Sequence, residues 1–280
     1  MPFEVKSMKR PCLWLLLAAL LLTAVFSGCG AEKKETYPPF TVDFLSTGKS
    51  DCALIRMDGL VILSDTADAD DYKTIARCLK SYGVKKIDYM ILSHYDKDHI
   101  GAAAPLIRYY EVEKVICPDY HEYNDEYYAL LDAVGTTATE GLVLTEDLRI
   151  ETENGSLLID PPDKDYGDDN NCSILTTVTY RGHSLVFMGD AMKKRLEEYE
   201  GVMGESCDLV KLPHHGDSSK PLLRILNALQ PKWAVEMVSP AETVDPTLLA
   251  RLQELGTTLY STADGPVHLE WSGEELTIIQ

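Results

Sequence analysis

Four side chains that can bind metal ions fall within six consecutive residues of this chain. They are His94, Asp96, Asp98 and His99. The apolar segment before them, residues 87–92, is typical of a short strand, and residues 102–110 after them have the spacing of a helix. Because proteins built from strands and helices usually place their sites at the carboxyl ends of strands, this loop is the first candidate site.

Two more positions offer metal ligands directly after predicted strands. Asp190 follows the strand predicted over residues 184–188, and the pair His214 and His215 follows the strand predicted over residues 209–212. If the three strand ends converge, their nitrogen and oxygen donors suffice for two divalent ions, with Asp190 as a carboxylate that bridges them. Since the first loop is rich in carboxylates and none of the loops contains cysteine, Mn²⁺ fits at least as well as Zn²⁺.

The strands and helices predicted over residues 40–280 must position these side chains. Strands are predicted over residues 40–45, 52–57, 60–63, 87–92, 114–117, 173–180, 184–188, 209–212, 233–238, 267–271 and 275–279, with two or three more inside 142–159. Helices are predicted over residues 70–82, 102–110, 128–134, 192–199, 221–229 and 246–255. The two strand-rich halves, with helices between the strands, predict two packed sheets flanked by helices.

The composition is that of a folded, acidic protein, and it limits the class of partner. The 280 residues are 45% hydrophobic and 25% charged, and the formal net charge is -19. A chain of this length can bury a full core. The acidic balance argues against a broad nucleic-acid footprint, which needs clustered Lys and Arg side chains, but it is compatible with a phosphate that is bound through metal ions.

The amino terminus has the pattern of an export signal. Three basic residues lie within the first ten, and the apolar stretch that follows over residues 12–26 is short for a membrane-spanning helix. The next residues resemble a bacterial lipoprotein cleavage site, in which Cys29 becomes the lipidated first residue of the mature protein. An uncleaved signal anchor is the alternative. Both interpretations export the rest of the chain and hold it at the membrane.

These patterns divide the chain into three parts. Residues 1–28 are predicted to be a signal peptide of the lipoprotein type, residues 29–39 a tether, and residues 40–280 the folded domain. The arrangement predicts a domain on the extracytoplasmic face of the bacterial cell membrane, anchored there by its amino-terminal lipid.

The loop that contains the four candidate ligands resembles a motif of a known family. Residues 94–99 are similar to the H-x-H-x-D-H loop of the metallo-β-lactamase superfamily, with Asp96 in place of the second histidine. This H-x-D-x-D-H form, followed by Ile100 and Gly101, resembles the hydrolase domain of ComEC-type competence proteins. Further similar segments follow in the same order at residues 46–51, 63–66, 170–173, 187–191 and 210–216. The resemblance extends over residues 39–280.

The resemblance implies a fold and a set of site residues. The fold would be of the α/β (α+β) class, a four-layer αββα metallo-β-lactamase sandwich. The metal ligands would be His94, Asp96, Asp98, His99, Asp190 and one histidine of the 214–215 pair, with His215 favoured. The other histidine, His214, would polarise the substrate or protonate the leaving group, and Asp98 would share the catalytic role.

The third histidine motif that is usual in this family is not evident in the sequence. His121 and His183 fall in the right interval, but neither has supporting spacing. The segment with Asn171 and Ser173 is predicted to fill that place. These two residues are therefore the candidates for substrate binding.

The ligand pattern and the resemblance together predict an exported, membrane-tethered hydrolase with two divalent ions, Mn²⁺ or Zn²⁺. A metal-bound hydroxide would attack a phosphodiester or a related ester. The predicted partners are a small or polymeric phosphoester and the membrane, whereas the net charge disfavours nucleic acid, long DNA above all. The alternative enzyme is a lactonase or a β-lactamase-like amide or ester hydrolase. The alternative without chemistry is a binding lipoprotein on the same fold.

Overall fold

Two β-sheets, of eight and seven strands, form the centre of the computed structural model, which describes residues 39–280. In chain order the strands are β1 (Phe40–Phe44), β2 (Ala53–Met57), β3 (Leu60–Ser64), β4 (Lys86–Ile91), β5 (Glu111–Pro118), β6 (Glu140–Leu144), β7 (Leu148–Glu151), β8 (Gly155–Asp160), β9 (Leu175–Tyr180), β10 (His183–Phe187), β11 (Leu209–Lys211), β12 (Trp233–Glu236), β13 (Thr258–Ser261), β14 (Val267–Trp271) and β15 (Leu276–Ile279). The helices are α1 (Tyr72–Ser81), α2 (Lys97–Ile100), α3 (Ala103–Tyr109), α4 (Asp125–Thr136), α5 (Lys193–Tyr199), α6 (Lys220–Leu229) and α7 (Pro246–Leu255).

Each sheet combines antiparallel strands with a parallel array. The first sheet has the order β15-β14-β1-β2-β3-β4-β5-β6, antiparallel as far as β3 and parallel from β3 to β6. The second has the order β13-β12-β11-β10-β9-β8-β7, parallel from β13 to β10 and antiparallel beyond. The two halves of the chain therefore repeat one plan. Because parallel neighbours end at the same edge of a sheet, loops that follow them can share one site.

Three hydrophobic cores separate four layers within residues 39–280. The central core lies between the sheets, where Phe40 stacks on Tyr180 with ring centroids 4.7 Å apart and Phe44 stacks on Phe187 at 5.7 Å. One outer core packs α1, α3 and α4 on the first sheet, and the other packs α5, α6 and α7 on the second. The predicted four-layer αββα sandwich is confirmed.

Side-chain caps determine where several helices begin. The Asn124 side chain accepts a hydrogen bond from the Tyr127 N–H at 2.7 Å, so α4 starts at Asp125, three residues before the predicted start. Ser219 caps α6, and Asp245 caps α7. Caps of this kind stabilise a helix by about 1 kcal/mol. They also hold the loops that precede the helices, including the loops beside the candidate site.

The sequence predicts no strand between α7 and β14, but β13 lies there. It pairs in parallel with β12 as an edge strand of the second sheet, with Leu259 opposite Ala234. The four residues of β13 are half-buried or exposed and show no regular alternation of buried and exposed side chains. The period-2 signal that identifies a strand is therefore missing, and pairing with β12 defines this element instead.

Some predictions concern residues outside the described part of the chain. The signal peptide over residues 1–28, the lipidated Cys29 and the tether as far as residue 38 belong to this group and stay predictions. Among residues 39–280, the structure contains no helix with the length and apolar character needed to cross a membrane.

A histidine–aspartate pair between β1 and β14 makes stability depend on pH. His268 lies opposite Asp43 in the strand register, and its Nδ1 is 2.8 Å from Asp43 Oδ1. The hydrogen bond to Asp43 raises the pKa of His268, with help from Glu270, although burial opposes the shift. Because the folded-state pKa lies above the unfolded value, the stabilisation is complete below the unfolded value and is lost as pH rises through the folded-state value.

We expect His268→Asn to lower the free energy of unfolding by about 1 kcal/mol at about pH 6 and by clearly less at about pH 9. Asn keeps an N–H donor near the position of Nδ1 but cannot become charged, so the variant removes the titration rather than the contact. Urea unfolding of both proteins at the two pH values measures the effect. An equal loss of stability at both would contradict the prediction.

Candidate metal centre

Loops that follow three strands meet at one edge of the two sheets. The ligand loop, residues 94–99, comes after β4; Asp190 lies in the turn after β10; and His214 and His215 lie in the 3₁₀ turn after β11. Gly189 permits this approach, since its φ is +50° and a Cβ there would lie 2.7 Å from the Ser93 Cβ. A side chain at this position would separate the Asp190 turn from the ligand loop.

The two carboxylate oxygens of Asp190 face two different histidines. Asp190 Oδ1 lies 3.3 Å from His99 Nε2, and Asp190 Oδ2 lies 3.3 Å from His215 Nε2. Asp98 Oδ2 is 3.5 Å from the same nitrogen of His215. The ring of His94 lies on the other side of His99, with the two ring centroids 4.1 Å apart. Each oxygen of Asp190 therefore faces a different candidate ligand, and its bridging role stays a prediction.

Among the described residues, three groups of ligand atoms lie close enough together to bind an ion; all three include His99, and two of them consist only of predicted ligands. The first set is His94, His99 and Asp190, and the second is Asp98, His99 and His215, with the ligand atoms of each set within 4.8 Å of one another. Asp96 adds a carboxylate to the first set, with its Oδ2 3.4 Å from His94 Nε2. The structure thus brings all six predicted ligands into one cluster.

The hydrogen bonds of the histidines leave lone pairs at the centre of the cluster. His99 Nδ1 lies 2.9 Å from Asp65 Oδ2, and His215 Nδ1 lies 2.8 Å from the Met237 carbonyl oxygen. In a neutral ring whose Nδ1 donates, Nε2 is an acceptor. Buried atoms without a hydrogen-bond partner among the described residues include Nε2 of His94, His99 and His215 and Oδ1 of Asp190. Unpartnered buried acceptors cost free energy, and divalent ions would satisfy them, so these residues fit a metal centre.

Charges within the cluster shift the pKa values of its members in opposite directions. Burial favours the neutral acid, but the imidazoles of His99 and His215 hold the pKa of Asp190 well below its usual range. Burial also favours a neutral imidazole, but the carboxylates of Asp190 and Asp65 hold the pKa of His99 well above its usual range. The carboxylates thus stabilise positive charge at this position, which is also what a bound cation requires.

The candidate substrate-binding residues Asn171 and Ser173 are turned toward the protein. Asn171 is 4% exposed, and its Oδ1 accepts hydrogen bonds from the backbone N–H groups of Lys194 and Arg195 at the start of α5. Ser173 is fully buried, and its Oγ accepts a hydrogen bond from the Asp190 N–H at 3.3 Å. These contacts favour a role in positioning the Asp190 turn over direct contact with substrate.

Two residues of the cluster received no role from the sequence, although the motif segments contain them. Asp65, directly after β3, accepts hydrogen bonds from the Ser93 N–H at 2.7 Å and the Ser93 hydroxyl at 2.8 Å, as well as contacting His99. Asp51, in the segment before β2, forms a buried ion pair with Lys211 of β11. Both are carboxylates beside a strand within a segment that resembles the family, and this was the signal that could have identified them. Their roles were missed because their partners are distant in sequence.

His214 differs from its neighbour in position and contacts. His215 lies among the ligands, whereas the His214 side chain is 29% exposed and its Nδ1 is 2.9 Å from Asp217 Oδ2. Both histidines have left-handed backbone angles, with φ of +47° and +54°, and Gly216 follows at +89°. Such a run of left-handed residues is costly and is typical of functional turns. It directs one histidine into the cluster and leaves the other partly exposed.

The two histidines in the interval of the third motif lie outside the cluster. His121 Nδ1 is 3.3 Å from the Tyr127 hydroxyl, and His183 Nδ1 is 3.1 Å from Asp208 Oδ1. Neither is therefore available to the ligand set, in agreement with the absence of supporting spacing in the sequence. The first set of ligands consists of His94, Asp96, His99 and Asp190 alone.

A family comparison matches this arrangement. The family described as "Metallo-beta-lactamase superfamily" matches residues 45–235, which include the ligand loop, Asp190 and His215. The chain belongs to the metallo-β-lactamase superfamily. Proteins of this superfamily are generally metal-dependent hydrolases, and the fold typically binds divalent metals, usually zinc.

Curated relatives place this metallo-β-lactamase domain near competence proteins. It is 28% identical to ComE operon protein 3 of Bacillus subtilis (strain 168) over 166 residues, 58% of this chain and 21% of that protein. It is 24% identical to Recombination protein 2 of Haemophilus influenzae over 257 residues, 89% of this chain and 31% of that protein. Competence protein ComA of Neisseria gonorrhoeae is 25% identical over 252 residues, 83% of this chain and 34% of that protein. The chain therefore spans between about a fifth and a third of the length of these relatives.

Solved structures support the fold. A mutant of the β-hydroxylase CmlA has a TM-score of 0.56 at 17% identity, covering 91% of this chain and 59% of that one. The metallo-β-lactamase fold protein YhfI from Bacillus subtilis has a TM-score of 0.55 at 14% identity, covering 79% of this chain and 95% of that one. At these identities the likeness concerns the fold alone.

Proposed function

We propose that this chain is an exported, membrane-tethered hydrolase that uses two divalent ions to cleave a phosphodiester or a related ester. One observation carries the proposal. Three buried imidazole nitrogens, of His94, His99 and His215, converge with Asp190 Oδ1, and none of these atoms has a hydrogen-bond partner among the described residues. A bound cation would displace the protons of these imidazoles, and converging imidazole nitrogens and a carboxylate oxygen with no other partner are what a cation centre needs.

The six ligands divide naturally between two ions. His99 lies within reach of both sets, and one imidazole nitrogen binds one ion, so we assign it to the second: His94 and Asp96 would hold one ion, Asp98, His99 and His215 the other, and Asp190 would be shared. Such a pair of ions polarises a phosphoryl or acyl oxygen and makes a nucleophile available near neutral pH. Asp65 and the Met237 carbonyl fix the ring orientations of His99 and His215, and interactions of this kind typically change metal affinity by about 10–100-fold.

His214 is the proposed donor to the leaving group. In the imidazolium form, the Nδ1–H of His214 would donate to Asp217 Oδ2, 2.9 Å away, and the Nε2–H would be the proton given to the leaving oxygen. The partial exposure of this side chain, whose ring centroid lies 6.1 Å from that of His215, agrees with a role toward substrate. Asp98 is proposed to hold the second ion and to orient the nucleophile.

We expect His214→Asn to lower kcat by about 10²-fold while metal content stays unchanged, because proton transfer typically contributes 10²–10⁴-fold. Asn tolerates the left-handed backbone at this position, so the turn that presents His215 is preserved. Steady-state kinetics together with elemental analysis of the same sample measure both effects. Loss of metal with the loss of activity would instead assign His214 to the ligand set.

The names of the relatives, the net charge and the predicted export signal support a choice of substrate and location. One relative is named a recombination protein and another a competence protein, which favours a phosphoester over a lactone or lactam. The net charge of -19 disfavours a long polyanion, so a short phosphodiester is preferred to extended DNA. The predicted export signal and the predicted lipidation of Cys29 support action outside the cytoplasm, at the membrane surface.

The test uses the full chain, purified in detergent and loaded with Mn²⁺ or Zn²⁺. We expect about two ions per chain by elemental analysis, and hydrolysis of a small phosphodiester such as bis-p-nitrophenyl phosphate. If the chain binds two ions and cleaves lactones or lactams but no phosphodiester, the proposed substrate class is wrong, although the chain is still a hydrolase. If the folded chain binds neither metal, the enzyme interpretation is wrong and the binding-lipoprotein interpretation takes its place.

A further inference from the structure

The segment that follows β5 holds the backbone of the ligand loop, which follows the neighbouring parallel strand β4. The clamp segment, residues 118–124, connects β5 to α4. The Tyr95 N–H donates a hydrogen bond to the Tyr120 hydroxyl at 2.7 Å, and the Asn124 side-chain amide donates to the Tyr95 carbonyl at 2.9 Å. The Tyr95 hydroxyl in turn donates to the Pro118 carbonyl at 2.9 Å. All three polar groups of Tyr95 are therefore bound to this one segment.

Aromatic packing holds Tyr95 against the same segment. The Tyr95 ring centroid lies 4.7 Å from that of Tyr120 and 4.7 Å from that of Tyr127, and Tyr95 is 3% exposed. Asn124 serves two elements at once, because its oxygen caps α4 while its nitrogen binds Tyr95. The packing fixes the ring, and the hydrogen bonds fix the two peptide planes on either side of it.

These two peptide planes join His94 to Asp96. Both of these ligands belong to the first set. The Asp96 side chain is 41% exposed, whereas the His94 side chain is fully buried. The histidines of the second set are held from elsewhere, His99 by Asp65 and His215 by the Met237 carbonyl. A change in the clamp segment should therefore disturb one metal site and spare the other.

We propose that Tyr120 and Asn124 are positioning residues that set the metal affinity of the site formed by His94 and Asp96. The inference rests on the proposed function, since it assumes that the cluster binds two ions. It goes beyond that function by assigning residues outside the ligand set to one of the two sites. A ligand that must reorganise before binding pays for that reorganisation in affinity, so a preset angle between His94 and Asp96 tightens the site.

The first test compares Tyr120→Phe with Tyr123→Phe in the full chain, purified in detergent. Calorimetric titration with Mn²⁺, repeated with Zn²⁺, gives the stoichiometry and both dissociation constants. We expect Tyr120→Phe to weaken one of the two sites about tenfold, the effect of one lost buried hydrogen bond, and to leave the other within about twofold. Tyr123 lies in the same segment but is 80% exposed, so Tyr123→Phe should match the unmodified chain.

The second test uses Asn124→Ser, which separates the two contacts of this residue. Serine is a good helix cap and keeps α4, but it cannot reach the Tyr95 carbonyl with an amide. We expect the same selective weakening of one site, with the thermal unfolding of the metal-free protein within about 3 °C of the unmodified chain. Lower thermal stability with both metal affinities unchanged in the two variants would assign the clamp segment a purely structural role and overturn the proposal.

The failure of this inference can be told apart from the failure of the proposed function. If the unmodified chain binds two ions and cleaves a phosphodiester, but Tyr120→Phe and Asn124→Ser bind both ions as tightly, the proposed function stands and the inference falls. If both variants weaken the two sites equally, selectivity is absent and the inference also falls. If the unmodified chain binds fewer than two ions, the dinuclear centre itself is overturned, and the inference with it.

Discussion

Asp190→Asn is expected to release metal from both sites and to reduce hydrolysis by about 10³-fold or more, because charge stabilisation in a preorganised site is typically worth that much. The expectation follows from the geometry of one carboxylate. Its two oxygens lie 3.3 Å from His99 Nε2 and 3.3 Å from His215 Nε2, so each oxygen faces a different ligand. Asn preserves the shape but removes the charge, and its NH₂ group cannot bind a cation.

Asp190→Asn should remove metal without unfolding the protein, which distinguishes it from a general loss of structure. In the metal-free protein, Asp190 is buried between His99 and His215, and its charge holds the pKa of His99 above the usual range. The neutral variant should therefore carry less positive charge at these histidines but stay folded. Elemental analysis and circular dichroism on the same sample separate the two effects.

Asp208→Asn is the matched control for Asp190→Asn. Asp208 also lies near a histidine, His183, at 3.1 Å, but this pair is 30% exposed and outside the cluster. The Asp208→Asn variant should bind metal and turn over substrate as the unmodified chain does. Asp190→Asn with two ions still bound would show that Asp190 is not a shared ligand, and would move the bridging role to another residue.

The elements that carry the ligands could be predicted because each ligand follows a strand with a clear apolar pattern. β4, β10 and β11 are short strands with buried residues at their carboxyl ends, and the ligand loop, Asp190 and His214 each begin three residues after the strand ends. Local patterns of this kind need no knowledge of the rest of the fold. The rule that sites lie at carboxyl ends of strands then brings the three positions together.

The supporting residues could not be assigned in this way, because their partners are distant in sequence. Asp65 contacts Ser93 and His99 from another strand end, and Lys211 reaches Asp51 from the opposite sheet. Residue type and spacing do not reveal such a pairing, because the two partners meet only when the sheets pack together. The same holds for Asn171, whose cap on α5 depends on how the loop before β9 lies over that helix.

A buried ion pair beneath the cluster should have the largest effect on stability. Lys211 is 3% exposed, and its Nζ contacts the carboxylate of Asp51, the Gly189 carbonyl at 3.0 Å and Asp190 Oδ1 at 3.9 Å. Asp51 is 2% exposed. Removing one partner of such a pair leaves the other charge buried and unpaired, which typically costs about 3–5 kcal/mol. We therefore expect Lys211→Met to lower the free energy of unfolding of the metal-free protein by that amount.

The double variant Lys211→Met with Asp51→Asn distinguishes an uncompensated charge from a loss of packing. If the charge on Asp51 causes the loss, neutralising it should restore at least about half of the stability, since residues in one buried network couple strongly.

Lys114→Met is the control: Lys114 pairs with Glu140 at 3.3 Å on the surface, and breaking such a pair costs about 1 kcal/mol or less. Denaturant unfolding in the presence of a chelator measures all of these variants without a contribution from bound metal. A double variant as unstable as the sum of its single variants would mean that the two charges act independently, and the link from β11 to the segment before β2 would then have to come from packing alone.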